Sequence, residues 1–266
     1  MKTQYIRLGI ASLLTLILGS CSQDATDGTF PQETGKEIVF STNIVQTRTQ
    51  TTDRKTVFVD EDHIGVFVLN RSTSATLHSN LNYLYKENAW SSETLVTFPL
   101  DGSDVNFYAY YPYAEGNTAT VFDFTVSTDQ AANGLNQSDL LLAENVTSEA
   151  NDEAVALSFT HALALLEVKV TLPAGVKADK VILKAYTTAS VNLQAQDATV
   201  KTDATVSEVT LMRLSDDTFR GVVPAQELSE RCIKIIGDNG VAFRYTADSP
   251  MTLQANRINT LTATCQ

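Results

Sequence analysis

The side chains able to do chemistry are few and scattered. His63, His78 and His161 form no pair at the spacing of zinc ligands, and no two cysteines sit close enough to help, so neither a metal nor another cofactor is expected. The chain has no Gly-x-Ser-x-Gly elbow and no glycine loop of the kind that cradles phosphate, and it reads as a non-enzyme with no catalytic residue. His161 lies in the apolar stretch Phe159-Thr160-His161-Ala162-Leu163, the setting of a hydrogen-bonded core or interface histidine rather than of a base. Asp60-Glu61-Asp62 offers oxygens that calcium would accept, but without the ligand spacing and glycine of a calcium loop; a solvated turn before a strand is the simpler expectation. Tyr108, Tyr110, Tyr111 and Tyr113, and the single Trp90, present rings on which a sugar face could stack. Alternation puts Tyr108 and Tyr110 opposite Phe107 and Tyr111, and core packing accounts for either set. Cys232 and Cys265 are either joined in a disulfide or are two buried free thiols in neighbouring strands. A bond would close a loop of roughly 34 residues and contribute about 3–4 kcal/mol.

Cys21 has a more telling context. Lys2 and Arg7 open the chain, a mostly apolar run occupies residues 8–18, and Leu18-Gly19-Ser20-Cys21 follows. That is the order of a basic region, an apolar region and a small-residue cleavage site in an export signal, and the run is too short to span a bilayer as a helix. The ending resembles the bacterial lipobox, which implies a signal over residues 1–20 and a lipid on Cys21. The alternative is an ordinary secretory signal with an incidental cysteine. Residues 21–36 are polar and contain Asp24, Asp27, Gly28, Pro31 and Gly35, a composition suited to a flexible tether.

The 266 residues carry 31 acidic and 19 basic side chains, a formal net charge of −12. Loss of residues 1–20 removes two cations, Lys2 and Arg7, and makes the balance more acidic still. Phosphate binding needs a basic face, so nucleic acid is excluded as a partner.

The elements that must position these residues are short, alternating strands separated by polar turns, which is the pattern of antiparallel sheets with one face buried. Ile38, Phe40, Thr42 and Ile44 share one side of a strand; Ile64, Val66 and Val68 share another, as do Val105, Phe107, Ala109 and Tyr111. In the clearest case Ala164, Leu166, Val168, Val170 and Leu172 alternate with Leu165, Glu167, Lys169 and Thr171, a largely charged outer face, before Pro173-Ala174-Gly175. Alternation continues at Val181-Leu183-Ala185, Val191-Leu193, Cys232-Lys234-Ile236, Val241-Phe243-Tyr245 and Leu261-Ala263-Cys265. Residues 138–144 suit a helical turn or a strand equally. The fold expected is all-β with few or no helices: two tandem antiparallel β-sandwiches, over residues 37–160 and 161–266.

Several segments, in this order, resemble the fimbrillin-like family of Bacteroides-type envelope lipoproteins, the major and minor subunits of type V pili. They are the lipobox, Glu37-Ile38-Val39-Phe40-Ser41 followed by Thr47-Arg48, His63-Ile64-Gly65-Val66-Phe67, and Asn106-Phe107-Tyr108-Ala109-Tyr110-Tyr111-Pro112-Tyr113. Ser138-Asp139-Leu140-Leu141-Leu142-Ala143 and Leu157-Ser158-Phe159-Thr160-His161-Ala162-Leu163-Ala164 complete the series. Where the family often has a glycine before its last strand, this chain has Gln254-Ala255-Asn256-Arg257.

The resemblance implies transthyretin-like sandwiches and a first strand, residues 37–48, that is removed by cleavage after an arginine so that a strand of another fimbrial subunit takes its place. Ile38, Phe40 and Ile44 would fill the vacated groove. Arg48, followed by Thr49, is the cleavage candidate and Arg54 the fallback; read without the family, both are surface arginines in a loop. The donor would be a C-terminal stretch such as residues 257–266. The chain would then be a structural or adhesive subunit of a fimbrium on the cell surface, held in the outer membrane by its lipid and touching a host or bacterial surface ligand. The competing reading is a surface lipoprotein that never polymerises and binds glycans or another ligand.

Overall fold

A computed structural model of the chain describes residues 35–45, 56–132, 134–150 and 152–265. Cys21, Arg48, Thr49 and Arg54 lie outside the described residues. Among those described, the elements are twenty strands and one short helix. The first half contains β1 (Phe40–Ile44), β2 (His63–Asn70), β3 (Thr76–Lys86), β4 (Ala89–Ser91), β5 (Val105–Tyr111), β6 (Val121–Thr125), α1 (Gly134–Ser138), β7 (Leu141–Asn145) and β8 (Val155–His161). The longer strands that follow are β9 (Ala164–Thr171), β10 (Ala178–Tyr186), β11 (Thr188–Asn192), β12 (Asp197–Val200) and β13 (Val206–Thr210). The last are β14 (Met212–Arg213), β15 (Thr218–Val223), β16 (Glu227–Leu228), β17 (Ile233–Gly237), β18 (Ala242–Arg244), β19 (Met251–Thr252) and β20 (Ile258–Thr264). The chain is therefore all-β, as its alternation indicates, and the ambiguous segment near residue 140 is a strand preceded by the helix.

A seven-stranded sheet runs in the order β1-β8-β7-β5-β2-β3-β4. Three others follow: β13-β10-β17-β18, β14-β15-β9-β20 and β12-β11-β6, with a small β16-β19 pair. Every strand pair is antiparallel except two, β1 with β8 and β20 with β9, both at sheet edges. The Trp90 indole N–H of β4 donates to the Thr42 hydroxyl of β1 at 2.9 Å. The two ends of the seven-stranded order thus meet, and the sheet folds over a core that includes Ile38, Phe40, Val66, Tyr83, Phe107, Leu157 and Phe159.

One-sided burial fails for the central strands. Val66 and Val68 of β2 face that core, but Phe67 and Leu69 are equally buried and belong to a second cluster, with Tyr108 and Tyr110 of β5 and with Leu166, Val168, Val181, Leu183 and Phe219. A strand buried on both faces reads as a continuous apolar run, which is what Val66-Phe67-Val68-Leu69 is. β6 adds a second link between the halves of the sequence, since residues 121–125 pair with 188–192 of β11.

Two further expectations change. Glu167 is not on a wet face: it is buried, and Arg220, its cross-strand neighbour on β15, donates to it through Nε at 3.2 Å and Nη2 at 2.7 Å. A carboxylate can be buried when a hydrogen-bonded cation goes with it. In β17 the buried residues are Ile233, Ile235 and Gly237, so Lys234 and Ile236 lie on the other face, one residue out of the phase read from Cys232-Lys234-Ile236. Before the last strand, where the family often has glycine, Asn256 takes the left-handed conformation at φ 57°. Asparagine tolerates that region better than most residues, so β20 forms without the glycine.

Candidate functional site

The N-terminal segment is held by two different partners in succession. Residues 36–38 pair with 96–98: Ile38 N–H donates to Val96 O at 2.8 Å and Phe98 N–H to Lys36 O at 2.9 Å. The chain then crosses to β8, where Val155 N–H donates to Val39 O, β1 runs parallel to Val155–Phe159 in register, and Val45 N–H donates to Phe159 O at 2.8 Å. β1 is thus the outermost strand of its ladder, and its backbone groups are satisfied by β8 on one side.

Alternation decides which side chains enter the core. Ile38 is 3% and Phe40 5% exposed, while Val39, Ser41 and Asn43 point outward. The Phe40 ring stands edge-on to Tyr83, with centroids 4.9 Å apart, and to Phe107 at 5.5 Å, the T-shaped arrangement that aromatic quadrupoles favour. Burying each of the two side chains contributes about 1.5–3 kcal/mol. Thr42 accepts from Trp90, and Ile44, the last inward residue, is half-buried. Burial, and after it the negative charge of Glu37, pushes the Tyr83 phenol up to about 12.

Beyond Ile44 the groove continues into a cavity of about 310 Å³, whose walls include Phe58, Leu135, Leu141, Leu165 and Ile258. Phe58 anchors one wall, edge-on to Trp90 at 5.0 Å, Phe159 at 5.2 Å and Tyr111 at 5.7 Å. The Tyr111 hydroxyl donates to Asp62 Oδ1 at 3.0 Å, and burial and that carboxylate raise its pKa. Sequence reasoning overlooked Phe58; the apolar positions of Val57-Phe58-Val59 were its only signal.

The other candidate residues are engaged elsewhere. Asp60 accepts from Glu87 N–H and Asp62 from Val59 N–H and Tyr111, so this acidic cluster builds a turn. His63 pairs with Asn82 and His161 with Asp139, each at 2.8 Å; His78 stands on β3, where burial lowers its pKa. Tyr108, Tyr110 and Trp90 are buried, and Tyr110 also bonds Asn80 and Ala114, so these rings are core and offer no face to a sugar. Cys232 and Cys265 are free thiols, the first buried and the second half-buried. Cys232 immediately precedes β17 and Cys265 immediately follows β20, two strands of different sheets rather than neighbours.

These features define an all-β protein in which residues 40–44 form an edge strand of the seven-stranded sheet. A model of the fimbrillin-like family matches residues 47–266, and the chain belongs to that family. A protein of Bacteroides uniformis, provisionally named as the fimbrium subunit Fim1C, is 29% identical over 265 residues, covering 90% of this chain and 82% of that one. A longer Bacteroides ovatus protein, provisionally named as a fimbrium tip subunit, is 26% identical over 190 residues, 62% of this chain and 35% of its own. Among solved structures, one described as a cell adhesion protein of Bacteroides ovatus superposes with a TM-score of 0.69 at 18% identity, over 87% of this chain and 92% of that one. That likeness is one of fold.

Proposed function

We propose that this protein is a fimbrial subunit, exported as a lipoprotein through Cys21 to the outer membrane and built into a surface fimbria by exchange of its first strand. One observation carries the reading. β1 is an edge strand, paired along one side only, yet it buries Phe40 in the core, and Ile38, two residues earlier, is buried there too. Its removal would leave an apolar slot beside a row of unpaired N–H and C=O groups on β8, and an extended strand from another subunit would satisfy both. On this reading residues 37–160 form the sandwich that accepts the strand, residues 161–266 form the next sandwich, and Arg48, with Arg54 as fallback, marks the cut. The fimbrium and tip names of the two relatives support the reading. Of the rings that would support a glycan-binding module, Tyr108, Tyr110 and Trp90 are in the core.

The test is limited digestion of the mature chain with a trypsin-like protease. A single cut after Arg48, leaving the rest folded and able to take up an added strand, is expected, and Arg48→Gln should abolish it. Several internal cuts with loss of the fold would overturn the proposal. Labelled palmitate should enter the wild-type chain in cells and be absent from Cys21→Ser.

A further inference from the structure

The slot under β1 runs further than β1 does. Backbone groups along a strand point alternately to its two sides, and in β8 those of Val155 and Phe159 face β1: Val155 N–H donates to Val39 O, and Phe159 O accepts from Val45 N–H at 2.8 Å. Thr160 and Ala162 face the other way, toward β7, where Ala162 N–H donates to Leu140 O at 2.9 Å. β8 continues to His161, the next residue of the series that faces β1. In its register with β8, β1 ends with Ile44 opposite Phe159. One more step in that register sets the place two residues after Ile44 opposite His161.

Alternation also fixes the direction of a side chain at that place. It shares the inward face of Ile38, Phe40 and Ile44, and its neighbours across the sheet are His161 and, one strand further, Leu141. Ile44 and Leu141 both line the cavity of about 310 Å³, together with Phe58, Leu135, Leu165 and Ile258. The ionisable groups along its walls are already paired: Tyr111 with Asp62, Asp139 with His161, and Arg220 with Glu167. The space therefore suits an apolar side chain, whereas the sequence has Gln46 two residues after Ile44. Enclosing an amide among apolar walls costs free energy unless it finds a partner.

We propose, resting on the strand-exchange reading above, that the strand received from another subunit reaches one step past β1, to His161, and buries a large aliphatic side chain in this cavity. Exchange needs an incoming strand that binds better than the one it displaces. The places of Ile38 and Phe40 are already well filled, at 3% and 5% exposure, so the gain comes from the other end of the slot, where Ile44 is only half-buried. The incoming strand is thus recognised by large apolar residues at the places of Ile38, Phe40 and Ile44 and by a further one two residues on.

The test uses the mature chain cut at a protease site inserted after Arg48, so that β1 stays in place but can exchange. Three labelled, amidated peptides of residues 36–48 are offered: the native sequence, Gln46→Leu, and Gln46→Leu with the Thr47 nitrogen methylated so that it cannot donate to His161 O. Uptake is read by anisotropy. The Gln46→Leu peptide is expected to enter about ten- to a hundredfold more tightly than the native one, from burial of one large aliphatic side chain. Methylation should weaken it at least about threefold, from loss of one backbone hydrogen bond. Ile258→Trp in the protein, which fills the cavity from its own wall, should cut the leucine advantage to less than about threefold; Leu135→Phe takes its place if that variant does not fold. A leucine advantage under about tenfold, one that survives the filled cavity, or no effect of methylation would overturn the inference and leave strand exchange standing. Entry by none of the peptides would overturn strand exchange and the inference with it.

Discussion

Phe40 and Tyr83 are the residues through which the seating of β1 becomes measurable. Truncating a ring packed edge-on against two others leaves a cavity, and Phe40→Ala should cost about 3–5 kcal/mol in denaturant unfolding. Ser41→Ala, on the outward face of the same strand, should change stability by less than about 0.5 kcal/mol. Equal effects at the two positions would mean that β1 is not part of the core. Tyr83 reports the strand in another way. Its phenol is held up to about 12 by burial and by Glu37, both of which depend on residues 37–40 being in place. The raised value favours the folded, neutral phenol, so its contribution is complete below pH 10 and is lost as the pH climbs through about 12. Displacing the strand should bring the phenol back toward the ordinary tyrosine range. An ultraviolet titration before and after displacement, with Tyr83→Phe as the blank, checks this; an unmoved midpoint would contradict it.

At the level of strands, alternation was a sound guide wherever one face meets water. Ile38 and Phe40 point inward as the alternation of residues 38–44 requires, and Val168 and Val170 do the same in the last part of β9, where Lys169 and Thr171 are exposed. It fails where a strand is sandwiched. β2 and β5 have no wet face, which is why Tyr108 and Tyr110 proved to be core and not a platform. Periodicity also says nothing about partners: that β6 would bond to β11, or that Arg220 would lie opposite Glu167, depends on chain reversals with no local signature. Crowding on β2 gives a direct test. A Cβ on Gly65 would fall within the Tyr110 ring and close to Asn80 Oδ1. Tyr110 is fully buried and fixed by its own hydrogen bonds, so it has little room to retreat. Gly65→Ala should therefore destabilise by about 1–3 kcal/mol through overpacking. A neutral effect on the melting temperature would show that the ring yields freely.

Across the molecule, the described residues form one compact unit. Phe67, Leu69, Tyr108 and Tyr110 share a core with residues from β9 to β20, and β6 closes a sheet with β11 and β12. Unfolding should accordingly be a single transition, with calorimetric and van't Hoff enthalpies in agreement; two resolved peaks would show the halves melting separately. The two parallel edge pairs have a mechanical meaning. β1 lies along β8 and β20 along β9, and β8 and β9 are separated only by Ala162 and Leu163. Tension applied to a strand lying where β1 lies, and resisted through β9, would cross the protein by that two-residue junction. Pulled along its own axis, such a strand loads all its rungs together in shear instead of unzipping them one at a time, so the grip on a neighbouring subunit need not be tight at rest to hold under a steady drag.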